Sequence, residues 1–276
     1  QARRVVVKVG SNVLTLDQGL NLPVIASISH EIGHLMSAGR QVILVSSGAM
    51  AAGMRKLQLP ERPSAIPARQ AVAAVGQAGL ILAYENAFDR DGRKVAQILL
   101  TAEDMTNRKR YLNARNTLNT LLEWGVVPIV NENDTVMVEE IKFGDNDNLA
   151  AVIALLMDAD LLINLTDIDG LYNKDPRVHA DARLLPEIDT IGKDIERYAG
   201  EIPGALGTGG MLTKIKAARK VTAAGIPMVI ANGTQPDILR RLFRGSPSGT
   251  FFVPRTERLS SRKCWLAFSL KPKGAI

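Results

Sequence analysis

Val126-Val127-Pro128-Ile129-Val130 runs into Asn131-Glu132-Asn133-Asp134, and after a short apolar arm Gly144-Asp145-Asn146-Asp147-Asn148 runs into Leu149 to Met157. The first apolar run is too short for a helix and reads as a buried strand, with the acid-amide cluster at its carboxyl end. The second cluster opens a helical stretch, where Asp and Asn cap and free backbone N–H groups point outward. Ligands of open α/β sheets bind where strands end and helices begin. Two well-capped turns are the plainer reading, but a cap needs one such residue per helix, not four in a row. The segment therefore predicts a site for a small polar ligand.

Outward from this segment, strands and helices alternate. Arg4–Val9 is an apolar strand ending in Gly10-Ser11, and Leu22–Ala38 a helix closing on Gly39. Val42–Val45 breaks at Ser46-Ser47-Gly48-Ala49; a long Ala-rich helix follows from Pro67 to Phe88, then a strand, Val95–Leu100. Arg108–Trp124 is an amphipathic helix, Leu161–Leu165 a strand, Met211–Ala224 a helix, and Pro227–Ile230 and Gly249–Val253 are strands. This rhythm predicts an α/β fold: an open, mainly parallel sheet sandwiched by helices, with a lobe division near Asp158.

With 276 residues, 46% hydrophobic and 22% charged, the chain can bury a sizeable core. No apolar run approaches the roughly 20 residues of a membrane span, and Gln1-Ala2-Arg3-Arg4 leads into a strand without a signal-peptide core. The single Cys264 rules out an internal disulfide framework and points to a reducing cytoplasm. The net charge of +6 is lopsided: Arg240 to Ile276 carries nine Lys/Arg against one Glu. A basic tail suits nucleic acid or a solvated linker, so an RNA-binding module is one alternative function.

Three Gly-containing turns follow strands or open helices: Lys8-Val9-Gly10-Ser11, Ser46-Ser47-Gly48-Ala49 and Gly207-Thr208-Gly209-Gly210-Met211-Leu212-Thr213-Lys214. Each is common in α/β folds. Together, with lysines beside two of them, they suit an anionic phosphate. Neither Gly-x-x-x-x-Gly-Lys-Ser/Thr nor Gly-x-Gly-x-x-Gly after the first strand occurs, so phosphate handling uses another scaffold. His30-Glu31-Ile32-Gly33-His34 matches the zincin pattern and makes a zinc hydrolase a second alternative. Its extended form would need Gly where Ser37 stands and His where Arg40 stands, and His179 lies in a distant polar loop. His30 and His34 thus read as structural.

Taken together, Val7-Lys8-Val9-Gly10-Ser11, Val45-Ser46-Ser47-Gly48-Ala49, Val130-Asn131-Glu132-Asn133-Asp134, Phe143 to Leu149, Leu165-Thr166-Asp167, Gly170-Leu171-Tyr172 and Gly207 to Met211 resemble the amino acid kinase family. They run in family order from residue 4 to about 253, and the two acid-amide clusters resemble the branch whose acceptor is glutamate. The resemblance implies ATP-dependent phosphorylation of the L-glutamate side-chain carboxylate, with Mg²⁺, as the first step of proline biosynthesis. It implies that Lys8 and Lys214 neutralise the migrating phosphoryl group and that Asp147 holds both lysines. Ser47, Asp134 and Asn146 would bind glutamate. Lys8, Thr166, Asp167 and Thr208, Gly209, Gly210, Met211, Leu212, Thr213 and Lys214 would bind ATP, with no resident protein metal site. It also implies proline as a feedback inhibitor and a homo-oligomer; the composition points to no membrane partner, and nucleic acid is not expected without a PUA domain. Residues 1–253 would form the catalytic domain, with the substrate lobe about 1–157 and the nucleotide lobe about 158–253. Residues 254–276 would be a basic linker, without the C-terminal PUA domain of many bacterial members. A same-fold kinase for another small acceptor is the remaining alternative.

Overall fold

The computed structural model describes residues 2–16, 19–136, 146–200 and 210–256. The β-branched run of β1 (Arg4–Val9) ends at Gly10, and a single helical turn, α1 (Ser11–Leu14), leads to a small hairpin of β2 (Thr15–Leu16) and β3 (Gly19–Leu20). Asn21 caps α2 (Leu22–Ser37) by accepting from the Val24 N–H, and Ile25, Ile28, Ile32 and Leu35 form its buried stripe. After β4 (Gln41–Ser46), Gly48 takes a left-handed φ of 104° and starts α3 (Ala49–Lys56), which packs on α4 (Ile66–Asp89). Then come β5 (Val95–Leu100), α5 (Ala102–Thr106), α6 (Arg108–Glu123) and β6 (Val127–Glu132). The second half contains α7 (Asn146–Leu156), β7 (Leu161–Thr166), β8 (Glu187–Ile188), α8 (Lys193–Gly200), α9 (Met211–Ala223), β9 (Met228–Asn232), α10 (Ile238–Phe243) and β10 (Thr250–Phe252).

Eight strands form one sheet in the order β5-β6-β4-β1-β7-β9-β10-β8, parallel throughout except for β9 with β10. The pleat divides the core. Val5, Val7 and Val9 pack with α2 and α4, while Val6, Ile43, Val45 and Val130 pack with α6, α7 and α9. Lys8 shares the face of Val6 and so emerges beneath α7. The polar ends of β1, β4, β6 and β7 lie together at the carboxyl edge of the sheet.

The predicted α/β architecture and its long elements are present, with informative differences. Strand β6 continues through Asn131 and Glu132, so half of the first cluster is strand rather than loop. Helix α7 begins at Asn146, so Asn146 and Asp147 occupy its first turn instead of preceding it. Against the expectation that no apolar stretch approaches a membrane span, helix α4 is long and apolar enough to cross a membrane by length and composition alone. It packs on α2 and α3 beside the sheet.

Candidate active site

Asp147 is the centre of the site. Its side chain is fully enclosed, and it receives Lys8 Nζ from β1 at 2.5 Å and Lys214 Nζ from α9 at 3.1 Å. Asn164 Nδ2 donates to its Oδ1 at 2.8 Å, and Thr213 Oγ1 to its Oδ2 at 2.6 Å. Burial alone would push this carboxyl up, but the charges of Lys8 and Lys214, with the Lys8 and Thr213 hydrogen bonds, hold it well below the usual range. It is therefore ionised at neutral pH, and one carboxylate sets the separation of two ammonium groups. The register explains the meeting: Lys8 lies opposite Val45 on one side and Asn164 on the other. Lys8, Asn164 and the first turn of α7 consequently share one face.

On the β4–β6 side, Asn146 Nδ2 faces Ser47 Oγ at 2.9 Å, Asn131 Oδ1 at 3.0 Å and the Ser46 carbonyl at 3.1 Å. Ser47 and Asn146, both expected at the acceptor, are thus in contact. Asp134 is half-buried in the turn that follows β6. On the β7 side, Asp167 accepts from Asn12 Nδ2 at 2.9 Å and from Thr166 Oγ1 at 3.0 Å. Burial raises the Asp167 carboxyl, but the Asn12 amide, its own backbone N–H, the Thr166 hydroxyl and the Lys214 charge bring it below its ordinary value. Asp169 fastens the following loop, accepting from Gln235 Nε2 at 2.7 Å and Asn232 Nδ2 at 3.0 Å.

Gly210 precedes α9; Met211 and Lys214 are buried, Leu212 is exposed, and Thr213 reaches Asp147. Thr208 and Gly209 lie outside the described residues, as do Gly144 and Asp145. Sequence reading gave no role to Asn12, Gln77 and Asn164. A lone amide inside the apolar strand Leu161-Leu162-Ile163-Asn164-Leu165 was the one available signal.

The two histidines of the zincin-like pattern stay together, but its glutamate does not join them. His30 Nδ1 lies 3.0 Å from Asp91 Oδ2, and His34 Nε2 lies 3.0 Å from His30 Nε2. Glu31 turns into the core instead, where its Oε2 accepts the Leu239 and Arg240 N–H groups at 2.7 and 3.2 Å. The carboxylate that a zincin would need as its base is therefore a remote cap for α10.

The profile of the Amino acid kinase family matches residues 3–232. The chain is 53% identical to the glutamate 5-kinase of Geobacter metallireducens over 277 residues, covering all of this chain and 74% of that protein. It is also 53% identical to the glutamate 5-kinase of Meiothermus ruber, covering 99% of this chain and 72% of that one. Among solved structures, an isopentenyl phosphate kinase superposes with a TM-score of 0.64 at 17% identity, over 91% of this chain and all of the other. The UMP kinase of Bacillus anthracis gives 0.61 at 16% identity, over 91% and 96%. At those identities the structural likeness concerns the fold alone. The profile match and the full-length identity go further: this chain belongs to the amino acid kinase family, in its glutamate 5-kinase branch.

Proposed function

We propose that the chain transfers the γ-phosphoryl group of ATP to the side-chain carboxylate of L-glutamate. The observation that carries this reading is the shared Asp147: one enclosed carboxylate fixes ammonium groups from β1 and α9 between an acid-amide cluster and the Thr166–Asp167 turn. Phosphoryl transfer asks the protein for positioning and positive charge more than for covalent chemistry. A glutamate carboxylate oxygen forms a bond to the γ-phosphorus while the bond to the β,γ-bridging oxygen breaks. The products are glutamyl 5-phosphate and ADP. Lys8 and Lys214 stabilise the charge that spreads over the phosphoryl oxygens, and Asp147 keeps the two lysines aimed.

Ser47, Asn146 and Asp134 form the acceptor side, the Asp134 carboxylate suiting an α-ammonium group. Thr166, Asp167 and residues 208–214 form the nucleotide side. Among the described residues, no group of three or more His, Cys, Asp or Glu side chains could hold a metal ion. Mg²⁺ would be carried on the nucleotide phosphates, where it keeps its waters and adds screening charge. The reading extends to a cytoplasmic homo-oligomer inhibited by proline at or beside the acceptor site; the exposed Ala71, Ala74, Ala78 and Leu82 of α4 support a subunit contact. It also assigns all the chemistry to residues 1–253, with 254–276 as a basic connection.

The test is ADP release by the purified chain with ATP, Mg²⁺ and glutamate, acetylglutamate, aspartate or UMP, with hydroxylamine trapping of the acyl phosphate. Turnover of glutamate with a trapped hydroxamate is expected. Turnover of another acceptor, with none of glutamate, would overturn the reading.

A further inference from the structure

Behind the acceptor side runs a row of three carboxamides. Asn146 Nδ2 donates toward Asn131 Oδ1 at 3.0 Å, and Asn131 Nδ2 donates to Gln77 Oε1 at 2.8 Å. Both ends of the central pair are held by backbone groups that have only one polarity. The Ser46 carbonyl lies 3.1 Å from Asn146 Nδ2 and can only accept; the Glu132 N–H lies 2.9 Å from Asn131 Oδ1 and can only donate. Reversing either amide would set oxygen against oxygen or N–H against N–H. The row therefore has a single direction, with Asn146 nitrogen toward β4 and β6 and its oxygen turned away from them.

That oxygen is the notable atom. Asn146 Oδ1 is enclosed and has no donor among the described residues. An enclosed acceptor without a donor is costly, and native structures rarely leave one without a purpose. Asn146 Nδ2 and both polar atoms of Asn131 are each matched to a neighbour of the right sense.

We infer that Gln77 and Asn131 are positioning residues that hold the Asn146 carboxamide with its oxygen presented to an N–H-bearing group of the acceptor, so that the site selects an amino acid over the same dicarboxylate without its ammonium. The inference rests on the reading of the acceptor as glutamate. Gln77 acts from α4 through Asn131, which is itself buried at 3% exposure. Neither residue has to touch the reacting phosphoryl group, so their effect falls on binding rather than on the chemical step.

The experiment compares KM for L-glutamate with the inhibition constant of glutarate, which lacks the ammonium, in the unaltered chain and in Asn131→Leu, Gln77→Leu and Gln77→Glu. In Asn131→Leu, KM for glutamate should rise roughly tenfold, the scale of one hydrogen bond to a charged group, while glutarate inhibition stays within about twofold. Gln77→Leu should shift the same ratio in the same direction by less. Gln77→Glu keeps an acceptor for Asn131 Nδ2 and should restore the ratio. Equal weakening of glutamate and glutarate would make the row a packing feature and overturn the inference, as would an unchanged ratio in both Leu variants. Absence of glutamate turnover in the unaltered chain would instead overturn the functional reading, and the inference with it.

Discussion

Replacing Asp147 by Asn keeps the shape of the side chain and removes its charge. In the folded protein this carboxylate receives Lys8 at 2.5 Å, Thr213 at 2.6 Å, Asn164 at 2.8 Å and Lys214 at 3.1 Å. All four partners are donors. An Asn amide must turn N–H groups toward one pair of them, either Lys8 and Asn164 or Thr213 and Lys214. Removing one partner of a buried ion pair typically costs about 3–5 kcal/mol. At roughly 2–4 °C per kcal/mol for a chain somewhat smaller than this, Tm should fall by about 10 °C. The same change releases two mutually repelling ammonium groups from their common anchor, so kcat should drop by about 10²–10³, the usual effect of losing one preorganised charge.

The pH dependence supplies a second readout. Asp147 has its pKa depressed in the fold, so the unfolded chain takes up the proton first as pH falls below about 4. Its contribution is complete above that pH and is lost progressively as pH falls toward the folded value. The Tm gap between Asp147→Asn and the unaltered protein should therefore be full at pH 7 and narrow below about pH 4. Calorimetry across pH 3–8 and steady-state kinetics at pH 7.5 test both claims. A variant with near-normal Tm and kcat would refute the role given to this carboxylate.

Lys8→Ala and Lys214→Ala should each lower kcat by about 10²–10³ with a smaller effect on KM for glutamate, whereas Asp134→Ala should chiefly raise that KM; near-normal kcat in both lysine variants would contradict the assignment. Glu31→Gln keeps an acceptor for the Leu239 and Arg240 N–H groups and should retain both activity and stability, while Glu31→Ala should cost about 1–3 kcal/mol by chemical denaturation. Because burial raises the Glu31 carboxyl, its contribution weakens as pH rises from about 4.3 through the folded value, and Glu31→Gln should flatten that slope. Gly76→Ala should destabilise by about 1–3 kcal/mol, since an added Cβ would lie 1.8 Å from the Ala49 carbonyl oxygen of α3. It should also raise KM for glutamate, because α3 starts immediately after Ser47-Gly48.

The long elements were legible because each carries its own signal. The Val-rich β1, the Ile stripe of α2 and the Gly-ended α6 are decided within their own sequences. The meeting of Lys8, Asp147 and Lys214 came from family resemblance, since nothing local connects three residues so far apart. Helix α7 was expected to start later because Asn and Asp usually cap from outside; here Asp147 sits in the first turn, where two lysines and Thr213 pay its desolvation. The antiparallel pairing of β10 depends on the turn at Gly249, whose φ is 101°, and short runs such as β8 carry too few residues for a period to show. Gln77 and Asn164 were silent because their partners lie on other elements, and a lone amide in an apolar stretch looks like an ordinary substitution.

The contact between α3 and α4 also bears on how this enzyme can be made more durable. Replacing helical glycines by alanine is a standard route to heat resistance, gaining up to about 1 kcal/mol per site from backbone entropy and helix propensity. Here the route divides within four residues. A Cβ at Gly53 would meet the Val72 carbonyl oxygen at 1.9 Å, and one at Gly76 would meet Ala49, so neither helix can accept the methyl without moving apart. Gly79, on the same helix, has nothing beyond its chain neighbours and its own helix backbone within 4 Å of an added Cβ. Gly79→Ala should harden the protein while Gly76→Ala softens it, so a library that treats all glycines of α4 alike would cancel its own gains. Thermal tolerance here is set by the side of the helix on which the methyl lands.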